Sequence, residues 1–381
     1  MSSNVARPIA RRARRIVVKV GSSTLASGGH LRPRKFTDLA RQVSQLVEAK
    51  KQVVVVSSGA IAVGSQRLGW DSPNRSVPQL QAAAAIGQIG LMELYQRRFD
   101  HLGLNVAQVL LTRAGLEERE RFLNARRTLQ ELLRLGVVPV VNENDTVATE
   151  EIRFGDNDNL SATIVNLVGA DLLVIMTDVD GLHETKPVQG AAKPPLVETV
   201  ERITPEIRKM ALGSDSTFGR GGMITKLEAA RTATRSGAAT ILCNGRARDV
   251  LGRVCAGEAV GTLFLPGDRL ASRKHWLAFT TRTRGELVID DGAAHALAER
   301  GRSLLPSGIV EVRGRFRIGD SVACLDAGGN ELARGLVAYA SEDIARILGR
   351  DTREIARVLG YSNGAEVIHR DDLVVLDEPA R

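Results

Sequence analysis

Gly136-Val137-Val138-Pro139-Val140-Val141-Asn142-Glu143-Asn144-Asp145-Thr146-Val147 passes from a short apolar, β-branched run straight into amides and carboxylates. A second polar run, Gly155-Asp156-Asn157-Asp158-Asn159, follows a short spacer. The apolar half reads as a buried strand, since continuous Val-rich runs of this length belong to strands covered on both faces. The polar cluster therefore begins where a strand ends, and in open α/β sheets ligands bind there. So dense a set of Asn and Asp is more than an ordinary turn requires.

Outward from this stretch, strand and helix signals alternate. Strands are predicted at residues 16–20, 53–56, 106–110, 137–141, 172–177 and 240–243. Between them, Phe36, Leu39, Val43, Leu46 and Val47 repeat at helical spacing, and residues 79–98, 120–135, 159–168 and 226–236 read as helices. Such alternation predicts an α/β fold, a mainly parallel sheet with helices on both faces. Beyond Pro266 the texture changes to short strands and Gly turns, as in Gly308-Ile309-Val310-Glu311-Val312 and Gly319-Asp320-Ser321-Val322-Ala323-Cys324. The expected division is an Arg-rich disordered tail at 1–14, a main domain at 15–265, a linker at 266–282, a β-rich domain at 283–371 and a tail at 372–381. The Pro-, Ala- and Gly-rich segment 186–195 reads as a mobile surface loop.

Composition narrows the function. The chain has 381 residues, 43% of them apolar, enough for a full core in two or three domains. No apolar run approaches the roughly 20 residues of a membrane span, and the N-terminus lacks the apolar segment of a secretory signal. A cytoplasmic protein with no membrane association is expected. Cys243, Cys255 and Cys324 are too scattered for a disulfide framework or zinc site, and the six histidines show no ligand spacing, so no protein-bound metal is assigned. The net charge is +8, yet Arg7, Arg11, Arg12, Arg14 and Arg15 supply five of those charges. A solvated extension accounts for that excess, with an organellar presequence or an anion-binding arm as alternatives.

Three further strand ends carry chemistry. Lys19 precedes the Gly21-Ser22-Ser23 turn, whose backbone N–H groups suit an anion. Ser57-Ser58-Gly59-Ala60 is a second small-residue turn opening a helix. In Gly219-Arg220-Gly221-Gly222-Met223-Ile224-Thr225-Lys226, glycines let the backbone approach a phosphate and a lysine follows at a helix start. Taken singly these are ordinary connections, and Asp156 and Asp158 read equally as caps of the following helix. Together they fit phosphoryl transfer, which needs positioning and fixed positive charge from lysines, backbone N–H groups and Mg²⁺. No histidine lies in the cluster. A carboxylate acceptor, with a pKa of about 4.3, is already a nucleophile at neutral pH and needs no base. For an amino-acid acceptor, Asp145 suits the ammonium, and Asn142, Asn157 and the Ser58-Gly59 turn suit the carboxylates.

Familiar nucleotide signatures do not account for these features. There is no G-x-x-x-x-G-K-[ST] loop, and Gly219, Gly221 and Gly222 do not complete G-x-G-x-x-G. His369-Arg370-Asp371 resembles the start of a protein-kinase catalytic loop but has no D-F-G after it, and is a chance match.

The quoted motifs, with Arg119-Glu120-Arg121-Phe122-Leu123-Asn124-Ala125-Arg126 and Thr177-Asp178, resemble the glutamate 5-kinase family of the amino acid kinase superfamily over residues 14–265. The C-terminal part resembles a PUA domain. The resemblance implies a three-layer α/β/α sandwich plus a small β-rich PUA-like domain. It also implies ATP and Mg²⁺ as cosubstrates and L-glutamate converted to L-glutamyl 5-phosphate for proline synthesis. On the matching positions, Lys19 and Lys226 would stabilise the phosphoryl group and Asp158 would hold those lysines. Ser58, Asn142, Asp145 and Asn157 would bind glutamate. Thr177, Asp178 and Arg220, Gly221, Gly222, Met223, Ile224, Thr225 and Lys226, together with Lys19, would contact the nucleotide. Arg220 departs from the small residue usual in the family. Feedback inhibition by proline, a homo-oligomer (dimer or tetramer) and hand-off to glutamyl phosphate reductase are implied as well. Two other readings remain open at this level: a superfamily kinase acting on another carboxylate or a nucleotide, and an RNA-binding PUA protein. Against the second, residues 283–371 hold 12 Lys plus Arg and 14 Asp plus Glu, a net of −2, with few aromatics for stacking.

Overall fold

The structure, a computed structural model, describes residues 7–27, 30–70, 75–148, 156–185, 193–212, 222–267 and 283–376. The chain divides into two compact units, Met1–Arg269 and Leu270–Arg381.

In the first unit the strands are β1 (Arg15–Val20), β2 (Ala26–Ser27), β3 (His30–Leu31), β4 (Gln52–Ser57), β5 (Val106–Leu111), β6 (Val138–Glu143), β7 (Leu172–Thr177), β8 (Thr199–Val200), β9 (Ala239–Asn244) and β10 (Thr262–Phe264). Its helices are α1 (Pro8–Arg12), α2 (Ser22–Leu25), α3 (Pro33–Glu48), α4 (Ala60–Arg67), α5 (Val77–Asp100), α6 (Arg113–Glu117), α7 (Arg119–Arg134), α8 (Asp156–Val168), α9 (Pro205–Leu212), α10 (Met223–Arg235) and α11 (Val250–Ala256). Eight strands form one sheet in the order β5-β6-β4-β1-β7-β9-β10-β8, with β2 and β3 in a separate hairpin. Pairing in the large sheet is parallel except between β9 and β10. The predicted α/β class and the strand quoted at the outset, now β6, are both present.

Strand periodicity assigns the faces. Ile16, Val18 and Val20 of β1, Val53 and Val55 of β4, and Leu172, Val174 and Met176 of β7 share a core with Phe36, Leu39 and Val43 of α3 and with α5 and α11. Each large apolar side chain buried there contributes about 1.5–3 kcal/mol. Residues one step out of phase face the other layer, where α8 packs on β1, β4, β6 and β7 and against α7 and α10. Lys19 is one of these, in register with Val56 and Ile175, so a lysine stands on an otherwise apolar surface.

Two glycine contacts fix α5. A Cβ on Gly64 of α4 would lie 1.7 Å from the Ala83 carbonyl oxygen, and one on Gly87 of α5 would lie 1.8 Å from that of Ala60. Only glycines permit this approach, and Gln88 is carried in beside it. At the start of α4, Gly59 has φ +121°, a conformation L side chains rarely adopt.

Both expected tails are corrected in part. Residues 8–12 form α1, Ala10 and Ala13 are buried, and the buried Arg7 guanidinium donates to Val260 O (2.6 Å), Glu198 O (2.8 Å) and Gly261 O (2.9 Å). Arginine charge reads as solvated from sequence; here backbone carbonyls replace water. At the other end, Leu373 and Val374 are buried in a strand that residues 372–381 were not expected to contain. Residues 1–6, and most of the 266–282 linker and the 186–195 loop, lie outside the described residues.

The second unit holds β11 (Gly285–Ile289), β12 (Ile309–Gly314), β13 (Ser321–Leu325), β14 (Glu331–Leu336) and β15 (Leu373–Val375), in the order β12-β11-β13-β14-β15. Helices α12 (Asp291–Arg300), capped by Asp290, α13 (Ser341–Ile347) and α14 (Ile355–Leu359) complete it, and Leu287, Phe316, Tyr339, Ile344 and Ile368 lie in its core.

Candidate active site

The site is built around one carboxylate. Asp158, in the first turn of α8, has a fully buried side chain, and its Oδ1 lies 2.5 Å from Lys19 Nζ. Its Oδ2 lies 3.3 Å from Lys226 Nζ and accepts a hydrogen bond from Thr225 Oγ1 at 2.7 Å. Thr225 and Lys226 belong to the first turn of α10, which packs on α8. The capping alternative for Asp158 thus fails, because its oxygens face two ammonium groups and a hydroxyl. Three elements, β1, α8 and α10, converge on it.

Burial presses the Lys19 ammonium below the ordinary lysine value of 10.5, and the Asp158 charge works against that shift. For Asp158, burial alone would raise the pKa, but Lys19 and Lys226 outweigh it and hold the carboxyl below its ordinary 3.8. Two cations share one anion, so the cluster carries a net +1. A buried charge is tolerable only when paired, and the surplus suits an incoming anion.

One residue before Asp158, the chemistry turns neutral. Asn157 Nδ2 donates to Ser58 Oγ (2.8 Å) and to Asn142 Oδ1 (2.9 Å), and Asn142 Nδ2 donates to Gln88 Oε1 (3.0 Å). These four residues, from the β4–α4 turn, α5, the end of β6 and the start of α8, make one continuous chain. Along it, two buried polar atoms have no partner among the described residues, Asn157 Oδ1 and Gln88 Nε2. Beside it lies a pocket of about 270 Å³ whose wall includes Gln88, Gln108, Glu143 and Asp145.

The structure thus brings Lys19, Asp158 and Lys226 together, and separately Ser58, Asn142 and Asn157, with Asp145 in the adjoining pocket. Thr177 ends β7 and donates to Asp178 Oδ1 at 3.1 Å. Gly222, Met223 and Ile224 lead α10 into the cluster, while Arg220 and Gly221 lie outside the described residues. Sequence reasoning missed Gln88 and the bond from Thr225 to Asp158. The signal for Gln88 was its place in Ala82-Ala83-Ala84-Ala85-Ile86-Gly87-Gln88-Ile89, an amide inside a run of otherwise small and apolar residues.

A mainly parallel sheet with two lysines paired to one buried aspartate beside it defines a class. The chain belongs to the amino acid kinase family, whose family model matches residues 14–244, and a PUA domain model matches residues 285–359. More narrowly, it falls among the glutamate 5-kinases. It is 50% identical over 370 residues to "Glutamate 5-kinase" of Geobacter sulfurreducens (97% of this chain, 99% of the relative). The protein of the same name from Paraburkholderia phymatum is 50% identical over 366 residues (96% and 98%). Among solved structures, carbamate kinase from Giardia lamblia bound to AMP-PNP aligns with TM-score 0.48 and 15% identity, covering 68% of this chain and 100% of that one.

Proposed function

We propose that this chain transfers the γ-phosphoryl group of ATP to the side-chain carboxylate of L-glutamate, giving L-glutamyl 5-phosphate, the first step of proline biosynthesis. The observation that carries the chemistry is the buried Lys19–Asp158–Lys226 cluster one residue away from an amide-lined cradle. The 50% identity to proteins named glutamate 5-kinase supports the acceptor.

In the mechanism, an oxygen of the glutamate side-chain carboxylate attacks the γ-phosphorus as the bond to the β–γ bridging oxygen breaks, and ADP leaves as an anion. No proton moves, so no general base is needed. Lys19 and Lys226 neutralise charge on the transferring oxygens, and Asp158 holds both ammonium groups where that charge develops. Ser58, Asn142 and Asn157 orient the acceptor, and Asp145 faces its ammonium. Thr177, Asp178 and the start of α10 hold the nucleotide. When bound, Mg²⁺ would supply further neutralisation of the phosphates. The ion would be carried mainly on ATP; among the described residues no group of three or more His, Cys, Asp or Glu side chains is arranged to hold a metal.

Within the same reading, proline is the feedback inhibitor, the chain works in the cytoplasm as a homo-oligomer, and the labile acyl phosphate passes to glutamyl phosphate reductase. The PUA unit has a structural or regulatory part; its net charge of −2 speaks against RNA, and tight tRNA retention on a filter at physiological salt would overturn that view. No helix among the described residues is long and apolar enough to cross a membrane.

An ATP-dependent hydroxamate trap run with glutamate, aspartate, N-acetylglutamate and carbamate, with ADP release followed for UMP, tests the assignment. Turnover is expected with glutamate. Preference for any other acceptor rejects it.

A further inference from the structure

Amide chains have a direction. Each Asn or Gln offers donors at one end and an acceptor at the other, so the orientation of one member dictates that of the next. Here Gln88 Oε1 accepts from Asn142, whose Oδ1 accepts from Asn157, and both Asn157 N–H groups are then used on Asn142 and Ser58. What remains on the α8 side is an acceptor, Asn157 Oδ1, buried and without a partner among the described residues. At the α5 end a donor remains, Gln88 Nε2, equally buried in a side chain that walls the pocket containing Asp145. Leaving such groups unpaired is costly, and a ligand with matching groups removes that cost. An α-amino acid brings both, an ammonium donor and a carboxylate acceptor.

We propose that Gln88 is a positioning and specificity-determining residue: it sets the direction of the Ser58–Asn157–Asn142 chain and presents its own amide to the amino-acid head of the substrate. This rests on the glutamate reading given above. The scaffold is consistent with a fixed role, because Gly64 and Gly87 lock α5 against α4 immediately beside Gln88. Reversing one amide in the chain would set donor against donor, so an incorrect orientation at Gln88 propagates to Asn157. Among the described residues Gln88 is bonded to Asn142 and not to the Lys19–Asp158–Lys226 cluster, so its influence falls on acceptor binding.

The test uses the full-length protein with Gln88→Met and Gln88→Glu, steady-state kinetics against glutamate and ATP, and thermal melting. Gln88→Met removes both ends of the amide; glutamate KM is expected to rise about tenfold, with ATP KM and kcat within about threefold. Gln88→Glu is acceptor-only when ionised but isosteric with Gln when protonated. Its glutamate KM is therefore expected to fall towards the wild-type value as pH is lowered, while that of Gln88→Met shows no such recovery. A purely structural Gln88 would move the melting temperature and leave glutamate KM unchanged in both variants, which overturns the proposal. Should Gln88→Met fail to fold, the pH dependence of the Gln88→Glu KM decides alone, and a flat profile rejects the idea. Wild-type protein without glutamate turnover removes the functional reading and this inference with it; normal wild-type turnover with unaltered Gln88 variants removes this inference only.

Discussion

Asn157 and Asp158 are neighbours in sequence and belong to opposite halves of the site. Asp158 sits in a charged, buried cluster with Lys19 and Lys226; Asn157 sits in a neutral chain with Ser58, Asn142 and Gln88. Consecutive helical residues point about 100° apart, so the first turn of α8 serves both halves without mixing them. The division follows the chemistry. A phosphoryl group in flight carries charge that fixed cations stabilise most in a buried site, whereas an amino-acid head is recognised by the direction of its donors and acceptors. Changes on the charged side should therefore lower kcat, and changes on the neutral side should raise KM.

Asp158→Asn gives the largest expected effect. It leaves Lys19 and Lys226 adjacent without their shared anion, and breaking a buried pair costs about 3–5 kcal/mol of stability. We expect kcat to fall by about 10³-fold and the melting temperature to drop. A variant with normal kcat would show that the lysines do not need their organiser. Lys226→Ala follows, with kcat reduced about 10²-fold and glutamate KM nearly unchanged, as for loss of one transition-state donor. An increase in KM with kcat preserved would erase the boundary between the halves. Asn157→Ala probes the other side: glutamate KM should rise about tenfold with a smaller loss of kcat, read by the same assay.

How legible these halves were from sequence differs in the same way. Lys19 and Lys226 were legible as fixed charges at a strand end and a helix start, whereas Asp158 read equally as a helix cap, and its pairing with those lysines came from the family resemblance. The neutral chain was half visible. Asn142, Asn157 and Ser58 sit at strand and helix ends, but Gln88 lies inside a helix of Ala and Gly, where periodicity speaks only of packing. Its neighbourhood is set by α4 crossing α5 at Gly64 and Gly87, a contact without a local signature. Arg7 was misread for the converse reason: its charge suggested solvent, and only tertiary structure supplies the carbonyls of Glu198, Val260 and Gly261.

The smallest expected effect, a displaced alkaline limb, concerns Lys19 itself. Its folded-state pKa lies below the ordinary 10.5 because burial disfavours the ammonium more than Asp158 restores it. The catalytically useful form is the cation, so kcat/KM, which reports the free enzyme, should decline at a pH below the ordinary lysine range. Bound ATP adds negative charge and pulls that pKa back up, so the limb in kcat should lie at higher pH than the limb in kcat/KM. Stability runs the other way: the unfolded chain holds the Lys19 proton more tightly, so this group's contribution rises with pH between the folded and unfolded values. Asp158, held low in the fold, contributes stability above its unfolded pKa and loses it as pH falls through the folded one. Lys19→Arg keeps its charge throughout, so it should abolish the limb in kcat/KM while Asn157→Ala leaves it in place. Coincident limbs in all three proteins would mean that the titrating group is not Lys19.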